Sequence, residues 1–257
     1  MRLSDLVEYL DRYLRVREIP DAEHAWNGLQ VENGGSVGSI VAAVDASQDT
    51  IDGVVAAAAR RADQDPAIIL VHHGLFWDGR QSVTGRHYRR LRALLEHDLA
   101  LYSAHIPLDV HPEVGNNAVL ARALGLRDTQ PFDDYHGVPL GVAGTLVMDR
   151  EALVAQLEAM LGTSARVVPG GPSETRTVGV ITGAAGSRIR AAREAGCDTF
   201  VTGEGAHHTY FDAMEWGINV IYAGHYATEQ VGVRALAQHL GERFSLPWEF
   251  HDHPTGL

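Results

Sequence analysis

Ala67-Ile68-Ile69-Leu70-Val71-His72-His73-Gly74 is an unbroken apolar run stopped by two histidines and a glycine. A short run with no polar alternation reads as a strand buried on both faces, the kind found in parallel sheets covered by helices. The neighbouring sequence agrees. Ser39-Ile40-Val41-Ala42-Ala43-Val44 reads as a second buried strand, with an alanine-rich helix over 49–62 between the two. A helix over 84–97 and a strand over 99–103 follow, and a short helix ends at Leu124. This alternation is the βαβ rhythm. Ahead of it, Leu3, Leu6, Val7, Leu10 and Leu14 mark one face of a helix over 3–16, and the segment from Trp26 to Gly35 reads as loop.

Residues 126–139 hold Pro131, Asp133, Asp134, Gly137 and Pro139 and read as a connection. A second alternation follows: strands over 141–147, 177–182, 198–202 and 218–222, and helices over 150–161, 187–195, 206–216 and 227–240. The tail after Pro247 shows no periodicity. The expected fold is α/β, with two interlocked, similar halves whose mostly parallel sheets are flanked by helices. Residues 1–127 plus 218–257 form the metal-binding half and 128–217 the second. The strand over 218–222 is expected to complete the first sheet, because the histidine that follows it must then approach those ending the earlier strands.

With 257 residues, 45% of them hydrophobic, the chain is long enough for a full core. Its single cysteine, Cys197, excludes an intramolecular disulfide and thiolate-rich structural zinc, so any metal must be held by nitrogen and oxygen. No apolar stretch approaches membrane-spanning length, and a cytoplasmic location is expected. The formal charge of −12 argues against nucleic acid as a partner.

Two further segments share the chemistry of the first. Tyr102-Ser103-Ala104-His105-Ile106-Pro107-Leu108-Asp109 is echoed by Tyr222-Ala223-Gly224-His225-Tyr226-Ala227-Thr228-Glu229, each with a histidine and a carboxylate four positions later. Imidazoles and carboxylates at strand ends are a ligand set for divalent metal, and open α/β sheets place sites beyond the carboxyl ends of their strands. Adjacent strand residues point to opposite faces, so His72 and His73 are expected to serve one ion each. His225 and Glu229 are four apart where the strand passes into the helix, so both face one side if the first turn begins promptly, and Glu229 can bridge two cations, although an acidic residue in a first helical turn is also ordinary. Asp109 is expected as an oxygen ligand. His105 is either a weak ligand, a hydrogen-bonding support or an orienting core histidine. Glu204 and His208, in Thr202-Gly203-Glu204-Gly205-Ala206-His207-His208, are candidates for supporting the site or binding substrate. The plainer reading has His207 and His208 at a helix start facing solvent. Cys197 lacks a neighbouring base and reads as structural, while His239, His251 and His253 read as surface residues.

Six segments together resemble a known family. They are Asn27-Gly28-Leu29-Gln30-Val31, Val71-His72-His73-Gly74-Leu75-Phe76-Trp77, His105-Ile106-Pro107-Leu108-Asp109, Gly115-Asn116-Asn117, Thr202-Gly203-Glu204 and Ala223-Gly224-His225-Tyr226-Ala227-Thr228-Glu229. The chain resembles the Nif-three-like dinuclear-metal-centre proteins, or GTP cyclohydrolase I type 2 homologues, over nearly its whole length. The resemblance implies a toroidal homohexamer with metal pairs facing an internal cavity, ligated by His72, His73, Asp109, His225 and Glu229. His207-His208 departs from many relatives. The expected cofactors are two divalent ions per subunit, for which zinc, iron, manganese, cobalt and nickel are all suitable. The expected activity is metal-dependent hydrolysis of an unassigned small molecule by a bridging water or hydroxide. The alternative is a non-catalytic metal-binding ring that senses metal or scaffolds protein partners.

Overall fold

The structure is a computed structural model that describes residues 1–58 and 66–256. In chain order its elements begin with α1 (Leu3–Tyr13), β1 (Gly28–Val31), β2 (Ser39–Asp45), α2 (Gln48–Ala58), β3 (Ala67–His73), α3 (Gly85–Glu96), β4 (Ala100–Ser103) and α4 (Ile106–Asp109). Next come α5 (Asn116–Leu124), β5 (Arg127–Tyr135), β6 (Val138–Asp149), α6 (Arg150–Leu161), β7 (Arg166–Pro169) and β8 (Glu174–Val180). The chain ends with α7 (Ile189–Glu194), β9 (Thr199–Thr202), α8 (Thr209–Trp216), β10 (Asn219–Tyr222), α9 (His225–Phe244) and β11 (Trp248–Phe250). Residues 59–62 of the helix expected over 49–62 lie outside the described residues.

The chain divides into two compact units, Met1–Leu108 with Val233–His253, and Asp109–Gly232 with Pro254–Leu257. The first contains a five-stranded sheet in the order β1-β4-β3-β2-β11. β3 is its centre, parallel to both β2 and β4, which explains its continuous apolar run: Ile68, Ile69 and Leu70 are buried. Each such side chain contributes about 1.5–3 kcal/mol by leaving water. Val41, Ile51, Val54, Leu94 and Leu101 pack around this strand in one cluster. Leu3, Leu6 and Leu10 of α1 are buried at the expected helical spacing. Two edges of this sheet differ from expectation. Residues 28–31 form the antiparallel strand β1 rather than loop, and β11 adds in parallel to β2. A three-residue strand is too short to show a period.

The second unit holds a six-stranded sheet in the order β5-β6-β8-β9-β10-β7. Here the expectation of mostly parallel sheets is corrected, because only the β8–β9 and β9–β10 pairs are parallel. The supposed connection over 126–139 is the hairpin β5–β6. Its loop is His136-Gly137, both at positive φ (53° and 88°), the backbone that a two-residue hairpin turn requires. Pro131 lies in the edge strand β5, where proline is tolerated.

The strand over 218–222 does not complete the first sheet. β10 lies between β9 and β7, since a crossover through the eight-residue α8 delivers it beside the strand that precedes it. The boundaries therefore differ from the expected halves, with 109–127 and 218–232 in the second unit. Leu120, Leu153, Leu157, Val178, Val201 and Ile221 form its core cluster.

Candidate metal centre

In the first unit, three parallel strands deliver polar groups at their carboxyl ends. Asp45 ends β2 in register with His73, which ends β3, and His105 follows β4 by two residues. His72 is fully buried and His73 half-buried, yet their ring centroids lie 4.8 Å apart, and His105 lies 4.9 Å from His72 and 5.7 Å from His73. One nitrogen of each of the three is within 4.8 Å of the others, so together they are able to hold a metal ion.

Each ring is fixed from behind. His72 Nδ1 meets the Ala104 carbonyl at 2.9 Å, His73 Nδ1 meets Asp45 Oδ1 at 2.8 Å, and His105 Nδ1 meets Asp21 Oδ1 at 2.7 Å. A carbonyl or carboxylate oxygen only accepts, so the proton sits on Nδ1 and a neutral ring presents its lone pair at Nε2. Asp21 is itself tightly held. It accepts from the backbone N–H groups of Ala22 and Ile106 and from the Asn27 amide, while Asn27 Oδ1 accepts from the His105 N–H. Burial works against charge on Asp21, but His105, Asn27 and the backbone donor outweigh it and hold the carboxyl below its ordinary value. Trp77 stands edge-on to His73 and His105, at 5.6 and 4.8 Å between centroids.

The second unit repeats the strand-end device with carboxylates. β8, β9 and β10 run parallel and are followed by Thr182-Gly183, Gly203-Glu204 and Gly224-His225. His225 opens α9, with Nδ1 2.8 Å from Glu204 Oε1 and Nε2 3.1 Å from Glu229 Oε2. Glu229 is 3% exposed. Gly183, at φ 69°, makes room for it, because a Cβ there would overlap Glu229 Oε1. Burial opposes charge on His225, yet Glu229 and Glu204 prevail and raise its pKa to about 9. Asp109, buried at the end of α4, accepts from Asn116 Nδ2 at 2.8 Å and from the Thr182 hydroxyl at 3.4 Å.

Of the sequence-predicted residues, His72, His73 and His105 gather in the first unit, and His225, Glu204 and Glu229 in the second. His105, read from sequence as a lesser ligand or support, is a full member of the imidazole group, and Asp109 hydrogen-bonds Asn116 and Thr182. His207 and His208 are exposed, and His208 makes no side-chain cap to α8. Cys197 is buried, which pushes its thiol up to about 12, as suits a structural residue. His239 is not a simple surface residue: it stacks on Tyr13 at 4.4 Å and hydrogen-bonds the Tyr9 hydroxyl at 2.6 Å. Asp45 and Asp21 were missed. Asp45 carried the same signal as His73, a polar residue closing an apolar strand, whereas Asp21 lies in a loop with no pattern.

The family model described as Duf34/NIF3 (NGG1p interacting factor 3) matches residues 1–255. The chain belongs to the Duf34/NIF3 family. A Deinococcus radiodurans protein named GTP cyclohydrolase 1 type 2 homolog is 45% identical over 99% of this chain and 94% of its own length. One of the same name from Pyrococcus abyssi is 41% identical over the whole of both. A crystal structure of a Thermus thermophilus protein is 41% identical over both full chains, with a TM-score of 0.90. No described helix of this Duf34/NIF3 chain is long and apolar enough to cross a membrane.

Proposed function

We propose that this Duf34/NIF3 chain is a metal-dependent hydrolase with a dinuclear centre, its ions held by His72, His73, Asp109, His225 and Glu229, with His105 joining the imidazole donors. The observation that carries this reading is the common anchoring of four histidines. Nδ1 of His72, His73, His105 and His225 each meets an oxygen acceptor, which leaves Nε2 as the nitrogen available to a metal, at His225 once a cation replaces the proton shared with Glu229. The donors are nitrogen and oxygen only, a set suited to zinc, iron, manganese, cobalt or nickel. Their number exceeds what one tetrahedral ion takes, which favours two.

When bound, divalent cations supply Lewis acidity and draw the pKa of water towards neutrality. The protein's part is to hold the imidazoles in one tautomer and to provide negative charge. Glu229, buried and with two oxygens, is the residue suited to bridging. Glu204 and Glu229 favour positive charge at His225, and a cation there takes the place of a proton. The resemblance of the six motifs adds self-association into a homohexameric ring, which the solution mass measures directly. The names of the relatives place GTP among the substrates to be tried.

The test is metal content and turnover on protein purified without added metal. Two ions per chain are expected, with His72→Ala lowering affinity by more than the roughly 100-fold that bounds losses from outer supports. Hydrolysis is expected of at least one member of a panel of GTP and other nucleotides, phosphoesters, amides and peptides, and is abolished by His72→Ala. Full metal occupancy with no turnover across the panel would transfer the case to a metal sensor or scaffold. Absence of metal binding would end both readings.

A further inference from the structure

Within the first unit, a cavity of about 460 Å³ opens among Trp26, Phe76, His24, His87, Gly79 and Arg80. Its volume is in the range of small-molecule sites. Three features make it a built site. Trp26 is a non-glycine residue at φ 44°, a left-handed backbone that costs an L-residue about 1 kcal/mol or more, and it is 64% exposed. This backbone holds the indole against Phe76 while leaving most of the ring open to solvent. Phe76 meets that indole tilted, at 5.8 Å between centroids and 60° between planes, and its ring also contacts the buried His87. Gln30 sets the spacing of the two walls. Its amide nitrogen donates to the Trp26 carbonyl at 2.9 Å, and its oxygen accepts from the Leu75 N–H at 2.7 Å, one residue before Phe76. Gly74 admits this clamp, since a Cβ there would overlap the Gln30 amide. The turn from Phe76 O to Gly79 N places Gly79 at φ 72° against His24.

We infer that this cavity is the binding site for a planar heteroaromatic ring, stacked on Trp26 and bounded by Phe76. An exposed indole face whose edge is braced by Phe76 suits a flat π-system better than an aliphatic chain, and stacking on such a face is tolerant of ring identity. The polar rim of Glu23, His24, Gln81 and Arg80 provides acceptors and donors for ring nitrogens and exocyclic groups. The walls are chain neighbours of residues that hold the metal-centre histidines. Trp26 precedes Asn27, which accepts from the His105 N–H, and Phe76 precedes Trp77, which packs on His73 and His105. The ring is therefore carried beside the imidazole group. Its role as part of a substrate rests on the metal-centre reading; its binding does not.

The experiment titrates adenine, guanine, pterin and benzimidazole, with cyclohexanecarboxamide as the non-aromatic control, into the full chain. Binding is followed by calorimetry and by the Trp26 indole N–H resonance, and metal content is measured on the same samples. At least one flat ring is expected to bind and to shift that resonance. Trp26→Ala is expected to weaken binding by roughly tenfold, within the range for loss of one stacking face, while Trp26→Phe keeps most of it and both variants retain metal. Gln30→Ala, which leaves both rings in place but unclamped, is expected to weaken binding less than Trp26→Ala. No binding by any of the four rings at millimolar concentration overturns the inference. So does binding that Trp26→Ala leaves unchanged, equal binding of the control, or a Trp26 resonance that responds to protein concentration in the way of a surface covered by a second copy. Metal loss in the wild-type chain bears only on the metal-centre reading.

Discussion

The two units use one backbone device with opposite chemistry. In both, three parallel strands end together and hand their polar groups to a common mouth, β2, β3 and β4 in the first unit and β8, β9 and β10 in the second. The first collects three imidazoles, with its carboxylates Asp21 and Asp45 turned to the outer nitrogens of the rings. The second collects one imidazole between two carboxylates, Glu204 and Glu229. The first thus offers neutral lone pairs in fixed tautomers, and the second offers negative charge.

The most direct way to break this comparison is to remove the supports of each kind. Asp45→Asn and Glu204→Gln keep size but weaken the hold on His73 and His225, and each is expected to lower metal affinity by about 10- to 100-fold, read by competition with a chelator. Equal losses would show that Asp45 and Glu204 both support metal binding. Loss from one alone would assign the ions to that unit.

Acidity sharpens the contrast in the metal-free protein. The pKa of His225 is raised from 6.5 to about 9, so the stability it contributes is fully present below pH 6.5 and is lost as pH rises through about 9. That contribution is on the order of 2 kcal/mol, given a side chain that is largely shielded from solvent. Denaturant unfolding of metal-free protein between pH 6 and 10 is expected to show this decline, and Glu229→Gln to flatten it. A decline that survives the substitution belongs to another group.

The smallest expected effects test stability without touching either mouth. Ser47 Oγ accepts from the Thr50 N–H at the start of α2 in the first unit, and Asp149 accepts from the Glu151 and Ala152 N–H groups at the start of α6 in the second. Ser47→Ala and Asp149→Ala are each expected to cost about 1 kcal/mol in thermal or denaturant unfolding, with metal affinity unchanged. A change in metal affinity from Ser47→Ala would mean that α2 steers Asp45.

Much of the first unit was legible because its strands are buried on both faces, and such strands are written as uninterrupted apolar runs. The second sheet was read less well for the converse reason. Its antiparallel edge strand β5 carries Pro131, Asp133 and Asp134, and the turn His136-Gly137 lacks the usual asparagine or aspartate. At the site, His72, His73, His225 and Glu229 were visible as polar residues closing apolar strands or opening a helix. His105 was undervalued, because its weight comes from Asp21 and Asn27, both far away in sequence and joined to it only by folding.

By itself the sequence determined the α/β class, the nitrogen-and-oxygen character of the donors and the strand ends that carry them, since burial and periodicity act locally along the chain. Only the tertiary structure decided that β10 belongs beside β9, that three imidazoles share one mouth, and that Gln30 spaces two aromatic walls. Those outcomes depend on strand order and on hydrogen bonds between distant segments, whose geometry no local pattern encodes.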